Sequence, residues 1–565
     1  MFRTFLGTVG VAAIAGVACS TPPAQRLSDV PNTPLYEDLG VYHHAISTKS
    51  PDAQKYFDQG MKLSYAFNHA EAIRAFQQAA ALDPQCAMCY WGVAYALGPN
   101  INAPITEDAA KAAWEAIGQA RGAVSSANEK ERAFIDALAK RYAADPKADR
   151  VPLDKAYAEA MRDLTKRYPD DLEAATLFAQ SLMDTSPWNY WDQEGKPRAL
   201  TGDVIAALES VLVRQSDHMG AIHLYIHAVE ASPDPKRAEP YADKLAALVP
   251  GAGHLVHMPG HIYLRTGRYH DASVANDNAV KADEAYLKAN RVAGNMMYEV
   301  GYVPHNFHFF VTSASLEGRQ ADALKAAEQV REKMHGDMLR DPSMGGMVQH
   351  MTLAPLYTKV WFGLWDQVLA EPVPPADLPF MTAMSQTARG LASAATGKLA
   401  DAEAAQKVVA GIKEDPALKN IFVSSVNNAS AIVAIAHEVL SGEIEAKRRR
   451  ADRATRHFTQ AAALEDGLVY MEPPDWPVPV RRLQGAALFE LGRAKDAEAA
   501  FRGDLAKFPD NGWSLSGLQA SLEKQGRTAE AGTVKARLAQ QWQRADIQIA
   551  AGRPLAPPVG GAASR

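Results

Sequence analysis

Sixteen histidines occur in 565 residues, and nine of them lie between His218 and His308. Their spacing carries more information than their number. His223 and His227 are four residues apart, His254, His257 and His261 follow at steps of three and four, and His305 and His308 are three apart. On an α-helix, steps of three and four keep side chains on one stripe. Neutral imidazole is a good ligand for zinc, copper, iron or nickel. One helix supplies two ligands at i, i+4, and a neighbouring helix completes the shell. Glu230, three residues beyond His227, is the nearby carboxylate, a candidate general base or ligand. Carboxylate-rich di-iron sites use four or more Asp or Glu, so zinc or copper is favoured over iron. Seven imidazoles suffice for two ions, or for one ion with an outer ring of histidines. Two metal-free readings stay open beside this one: a polar groove that grips an acidic or aromatic peptide, and a purely structural hydrogen-bonded network.

The elements that position these residues are helices arranged as repeats. Residues 53–84 show the unit. Gly60 sits where two helices approach closely, Ala72, Phe76 and Ala79 mark the second helix, and Pro84 ends it. Small residues are required there because larger side chains push paired helices apart. The spacing recurs at Ala238 and Pro250, at Gly260, Gly267 and Ala272, at Gly318 and Ala323, and at Gly390, Gly397 and Ala402. It returns in full at Gly485, Gly492, Ala497, Phe501 and Pro509, and once more at Gly526 and Ala531. Ala238 and Ala272 are 34 residues apart. Residues 110–183 carry weaker versions of the same hairpin.

This pattern resembles the tetratricopeptide-repeat (TPR) family, whose period is 34 residues. The resemblance implies an all-α, right-handed α-solenoid of helical hairpins over residues 51–550. In that family the second, fifth, ninth and twelfth positions of each first helix line a concave groove. With the register fixed by Ala238, Ala272 and Ala323, His223 and His227 take the fifth and ninth slots of one repeat and Glu230 the twelfth. His254, His257 and His261 take the second, fifth and ninth slots of the next. His305 and His308 take the second and fifth of the third. Seven of nine such slots are histidine, where the chain's own histidine frequency gives about 0.25. His350, in M-V-Q-H-M, is a further candidate for an inner slot. The stretches F-N-H-A-E-A-I-R-A-F, Y-I-H-A-V-E, G-H-L-V-H-M-P-G-H-I-Y, H-N-F-H-F and Y-M-E-P-P-D-W also look like those of a family of large exported bacterial TPR proteins and lipoproteins of unassigned activity. That likeness implies architecture and no chemistry.

The chain's ends and loops add further expectations. Arg3 followed by the apolar run Leu6 to Ala18 reads as a signal peptide (residues 1–19), because the run is too short to span a bilayer. Ala15-Gly16-Val17-Ala18-Cys19-Ser20 resembles a lipoprotein box with Cys19 as the lipidated residue, although Gly16 also leaves room for an ordinary signal-peptidase cut. The mature protein is therefore expected to be exported, either periplasmic or anchored in the outer membrane, with membrane contact only through that lipid. Residues 20–50 read as a tether and N-terminal segment, and residues 551–565 as a disordered tail. Cys86 and Cys89 form C-A-M-C before Tyr90; a disulfide or metal pair is possible, and two small core residues are expected. Two aromatic interruptions stand out. Residues 184–197 are placed to wall one side of the groove. Residues 470–477 (Y-M-E-P-P-D-W-P) are either a lid or a connector between repeats, and the connector is expected.

The formal charge of −6 and the lack of a basic stripe argue against nucleic acid. No G-x-S-x-G, H-E-x-x-H, Walker or dinucleotide motif occurs. Two classes of function remain. One is a metal-binding protein, or a metal-dependent enzyme of unknown reaction, with a small molecule or peptide in the groove. The other is a metal-free TPR scaffold for a peptide or cell-envelope protein. Carboxylate-binding scaffolds of this kind place Lys, Asn and Arg in the slots that hold histidine here.

Overall fold

A computed structural model describes residues 33–289 and 297–555. The proposed signal peptide, Cys19 and the last ten residues of the tail lie outside the described residues. The described chain is an all-α solenoid of helical hairpins, from Pro51–Tyr65 to Thr528–Gln541. Successive pairs are joined by short turns, as in Pro51–Tyr65 with His69–Leu82, Ala429–Lys447 with Ala451–Asp466, and Val480–Glu490 with Ala494–Lys507. None of the described helices is long and apolar enough to cross a membrane.

One packing device recurs. The ring of Phe76 lies between two first helices, against Gly60 of its own repeat and Gly92 of the next. A Cβ at either glycine would fall 2.5 or 2.3 Å from a ring carbon. Phe501 sits the same way between Gly485 and Gly517, at 2.7 and 2.1 Å. The glycines of the repeat signature are therefore sockets for an aromatic ring sixteen residues on. Gly92→Ala should force that ring out of place and cost about 1–3 kcal/mol, visible as a lowered thermal midpoint. An unchanged midpoint would mean that the socket is not close-packed.

The solenoid closes on itself. Tyr269 Oη donates to the Pro509 carbonyl (2.6 Å), Trp513 Nε1 to the Ser315 carbonyl (2.7 Å) and Arg482 Nη2 to the Trp361 carbonyl (2.9 Å). At the other end, residues 33–50 run back over the first hairpins. Tyr56 Oη and Gln59 Nε2 donate to the carbonyls of Thr33 and Pro34, and Gly251 N donates to the Asp38 carbonyl. Repeats far apart in sequence are thus tied to one another. The tail also differs from expectation as far as Leu555. Ile549–Ala550 pairs with Arg553–Pro554, and Arg553 reaches Glu443 (2.7 Å) and Glu490 (3.1 Å); two carboxylates facing one guanidinium hold the turn down.

Cys86 and Cys89 are joined by a disulfide. Both are also fully buried, so the expectation of two core residues holds for burial and is corrected for bonding. Cys86 caps the helix Ala87–Ala96, which brings its sulfur back over the first turn to Cys89.

Candidate metal centre

Three stretches of helix present the histidines. Met219–Val229 carries His223 and His227. The short helices Gly253–His257 and Pro259–Arg265, which follow one another across Met258, carry His254, His257 and His261. Val303–Leu316 carries His305 and His308. A π-helical turn, Met297–Tyr302, leads into the last of these; such turns are rare, and are found frequently at functional sites.

Six of the seven histidines converge, and they do so as two groups of three. Ligand atoms of His223, His227 and His254 lie within 4.8 Å of one another, and so do those of His257, His261 and His305. Nε2 of His223 is 3.1 Å from Nε2 of His254, and Nε2 of His257 is 2.8 Å from Nε2 of His261. Two imidazoles ligating one tetrahedral ion at about 2.0–2.1 Å place their nitrogens about 3.3 Å apart. The two triads adjoin: the rings of His227 and His261 are 5.4 Å apart, and those of His254 and His257 are 5.8 Å apart.

The other ring nitrogens explain why the Nε2 atoms face inward. His223 Nδ1 donates to the Tyr65 carbonyl at 2.6 Å. His257 Nδ1 donates to Asn276 Oδ1 at 2.7 Å, and Asn276 Nδ2 donates to the Ala272 carbonyl at 2.8 Å. That second bond fixes which end of the amide accepts, and hence which nitrogen of His257 carries the proton. His227 Nδ1 donates to Glu230 Oε1 at 2.9 Å, and the other oxygen, Oε2, lies against His261 Nδ1. One carboxylate therefore backs one histidine of each triad. A partner on Nδ1 leaves the Nε2 lone pair free and makes it more basic, which is how metal-binding histidines are oriented. His227 Nε2 has no hydrogen-bond partner.

Burial sets the charges. His254, His257 and His261 are 3, 0 and 3% exposed. Burial, and then the field of neighbouring histidines, holds His223, His254, His257 and His305 well below the usual imidazole range. Burial also lowers His227, partly offset by Glu230. His261 goes the other way: burial is outweighed by Glu230 and Glu472, and it is raised to about 9. Burial likewise fails to neutralise Glu230, which His261 and His227 hold at about 2. The ground arrangement is a buried Glu230–His261 ion pair beside five neutral imidazoles.

The chamber is covered on several sides. Phe67 packs on His223 (centroids 4.4 Å apart), His227 and His254. It does so from a turn where its own φ is +54°, in the position that glycine fills in later repeats, such as Gly492 at +81°. Trp188, in the 184–197 interruption, stands 5.1 Å from His227, so that segment does wall the site. Phe309 and Tyr302 close the opposite side.

The 470–477 loop reaches the chamber as well. Glu472 Oε2 is 3.3 Å from His261 Nδ1, and Glu230, His261 and Glu472 form a third close group. The loop is anchored by Asp475, which accepts from Ser424 (2.7 Å) and Asn427 (2.8 Å). It is more than the connector expected from the sequence, since Glu472 reaches His261.

His308 is the exception among the seven. It points away from both triads toward His350, with ring centroids 6.1 Å apart. Its ring is thus apart from the group that His305 joins. His350, the further candidate for an inner slot, therefore joins His308 rather than either triad.

No protein-family model matches the chain, and no curated protein sequence matches it. Solved structures do correspond along most of its length. A human IFIT1 dimer solved with PPP-AAAA is 10% identical over 87% of this chain and 92% of that one, with a TM-score of 0.30. The APC/C hetero-tetramer Cut9–Hcn1 is 12% identical over 88% and 90%, with a TM-score of 0.30. The TPR domain of P58(IPK) is 12% identical over 86% and 99%, with a TM-score of 0.20. These chains superpose loosely, and nothing about ligands or partners passes from them to this protein.

Asn276 and Glu472 escaped the sequence reading, yet Asn276 left a signal. Sixteen residues after the socket glycine, other repeats place Phe76, Phe458 and Phe501. After Gly260 that position is Asn276, and a Cβ on Gly260 would lie 2.7 Å from Asn276 Nδ2. The amide occupies the aromatic socket of the very repeat that carries three histidines.

Proposed function

We propose that this protein holds a transition metal, zinc or copper before iron, in the buried chamber through the triads His223–His227–His254 and His257–His261–His305. The observation that carries the reading is the shared carboxylate: Glu230 sits on the Nδ1 side of one histidine in each triad and leaves both Nε2 atoms inward. A hydrogen-bonded structural network has no need of that arrangement, and it leaves His227 Nε2 buried without a partner. A peptide scaffold is less well supported, since the histidines are enclosed rather than set along an open groove. A three-imidazole site keeps a position open, where a bound ion polarises or activates a small ligand. Glu472 stands with Glu230 on the Nδ1 side of His261, behind the ligand atom. We further propose, on the N-terminal sequence and on a disulfide of the kind found in oxidising compartments, that the protein is exported and anchored at Cys19.

Elemental analysis of full-length protein purified without a histidine tag tests the metal reading. At least one equivalent of zinc or copper is expected. His257→Ala and His227→Ala should lower the content sharply, and His43→Ala and His437→Ala should not. The ion takes the place of the proton held on His261, so uptake should release protons and weaken as pH falls. Metal-free protein that cannot be reloaded, or equal losses in all four variants, would refute it.

A further inference from the structure

The two triads pack on one another as closely as their own members do. Across them, the rings of His227 and His261 are 5.4 Å apart and those of His254 and His257 are 5.8 Å apart. Within them, ring distances run from 4.7 Å (His257 and His261) to 6.3 Å (His227 and His254). Six imidazoles thus form one continuous cluster. Glu230 ties its halves together, with Oε1 on His227 Nδ1 and Oε2 on His261 Nδ1. Ions held by the two triads are neighbours in one chamber, as in two-metal sites whose ions act together on one small molecule.

Charge and ligand number decide between the candidate metals. Among the described residues, the carboxylates that reach these rings are Glu230 and Glu472, which are 1 and 6% exposed. They bring at most two negative charges. Uncompensated charge is costly in so buried a place. Two Cu⁺ ions are balanced by two carboxylates, whereas two Zn²⁺ ions leave at least two positive charges over. Zinc also favours four ligands. Each triad offers three imidazoles, and Cu⁺ is stable with three. The rings of Phe67, Trp188, Tyr302 and Phe309 stand around the cluster. Walls of that kind favour a small uncharged molecule over a large or charged one.

Resting on the metal reading and going beyond it, we infer that the chamber holds two cuprous ions side by side, one in each triad, and that its small-molecule substrate is dioxygen. Copper is among the metals that carry one-electron and O₂ chemistry. Each Cu⁺ gives up one electron and becomes Cu²⁺. Together the pair reduces O₂ by two electrons, two protons enter from solvent, and hydrogen peroxide is the product when no further substrate is present. A lone Cu⁺ supplies one of those electrons, so the second triad is what completes the step.

The experiment loads untagged, full-length protein with Cu⁺ without oxygen, in competition with a coloured cuprous chelator, and then admits air. Two equivalents of copper per chain are expected. In air the copper absorption edge should move to the cupric position, and about one hydrogen peroxide per chain should be recovered on acid quenching. The electron paramagnetic resonance spin count should stay well below two per chain, because neighbouring cupric ions couple. His223→Ala and His305→Ala should each halve the copper content, and the ion that is left should give a full cupric signal. In native protein, a single equivalent of copper, a signal of two independent cupric spins, or copper that stays cuprous in air would each overturn the inference, and none of these readings needs a variant to fold. Protein that binds zinc but no copper pair overturns it and leaves the metal reading intact; protein that binds neither metal ends both.

Discussion

Glu230→Gln should lower metal affinity about 10- to 100-fold, the usual effect of removing an orienting partner behind a metal-binding histidine, while leaving all six ligand imidazoles in place. A carboxylate accepts on both oxygens, and here it faces Nδ1 of His227 (2.9 Å) and of His261. A glutamine side chain accepts on one atom and donates from the other. It can keep one histidine in the required tautomer and must confront the other with an N–H. That histidine then moves its proton to Nε2 or turns away, and its triad loses a ligand. The expected signature is unequal loss: one class of site weakens and the other largely survives. Isothermal titration with zinc, checked by circular dichroism for retained helix, reads it out. Unchanged affinity would show that Glu230 orients nothing, and Glu230→Asp tells geometry from charge, since it keeps the charge and shortens the reach.

The second large effect is acid lability that does not involve the metal. His69, His308 and His350 lie outside the triads. Burial holds them at about 4, 4 and 3, with Arg141 lowering His69 further and His308 lowering His350. Each is lowered from an unfolded value of 6.5, so below that pH the unfolded chain binds protons that the native chain refuses. Stability is complete above about pH 6.5 and is lost as pH falls toward the folded values. At about 1.4 kcal/mol per unit, each group removes about 3–5 kcal/mol at the acid end. Together they rival the roughly 5–15 kcal/mol that holds a domain folded. Cooperative unfolding is expected between pH 6.5 and 4 even in chelator-treated protein, monitored by far-ultraviolet circular dichroism. His308→Phe and His350→Phe should shift the midpoint to lower pH if the rings are accommodated. A transition that stays put in both would place the acid sensitivity elsewhere.

The fold was legible because the repeat pattern is a packing rule, and Gly60 and Phe76 carry it out as written. Six of seven histidines could be grouped for the same reason: register on consecutive first helices decides which way a side chain faces. What register could not give is the phase at the third helix. There His305 faces His257 while His308 faces His350. The ties between distant repeats were hidden too, because they join residues far apart in sequence, such as Tyr269 with Pro509 and Trp513 with Ser315. The 470–477 loop was half legible. Its prolines announced an extended segment, but only the fold shows that the segment ends with Glu472 against His261.

Anomalous diffraction from crystals of the untagged, full-length protein, collected on either side of the zinc and copper absorption edges, tests the central claim most directly. The expected result is an element-specific peak bounded by Nε2 of His257, Nε2 of His261 and the ring of His305, and a second among His223, His227 and His254 if both triads are filled. The contradictory result is a histidine chamber without anomalous density in protein soaked with either metal, or a peak on the other side of His261, ligated by Nδ1, Glu230 and Glu472.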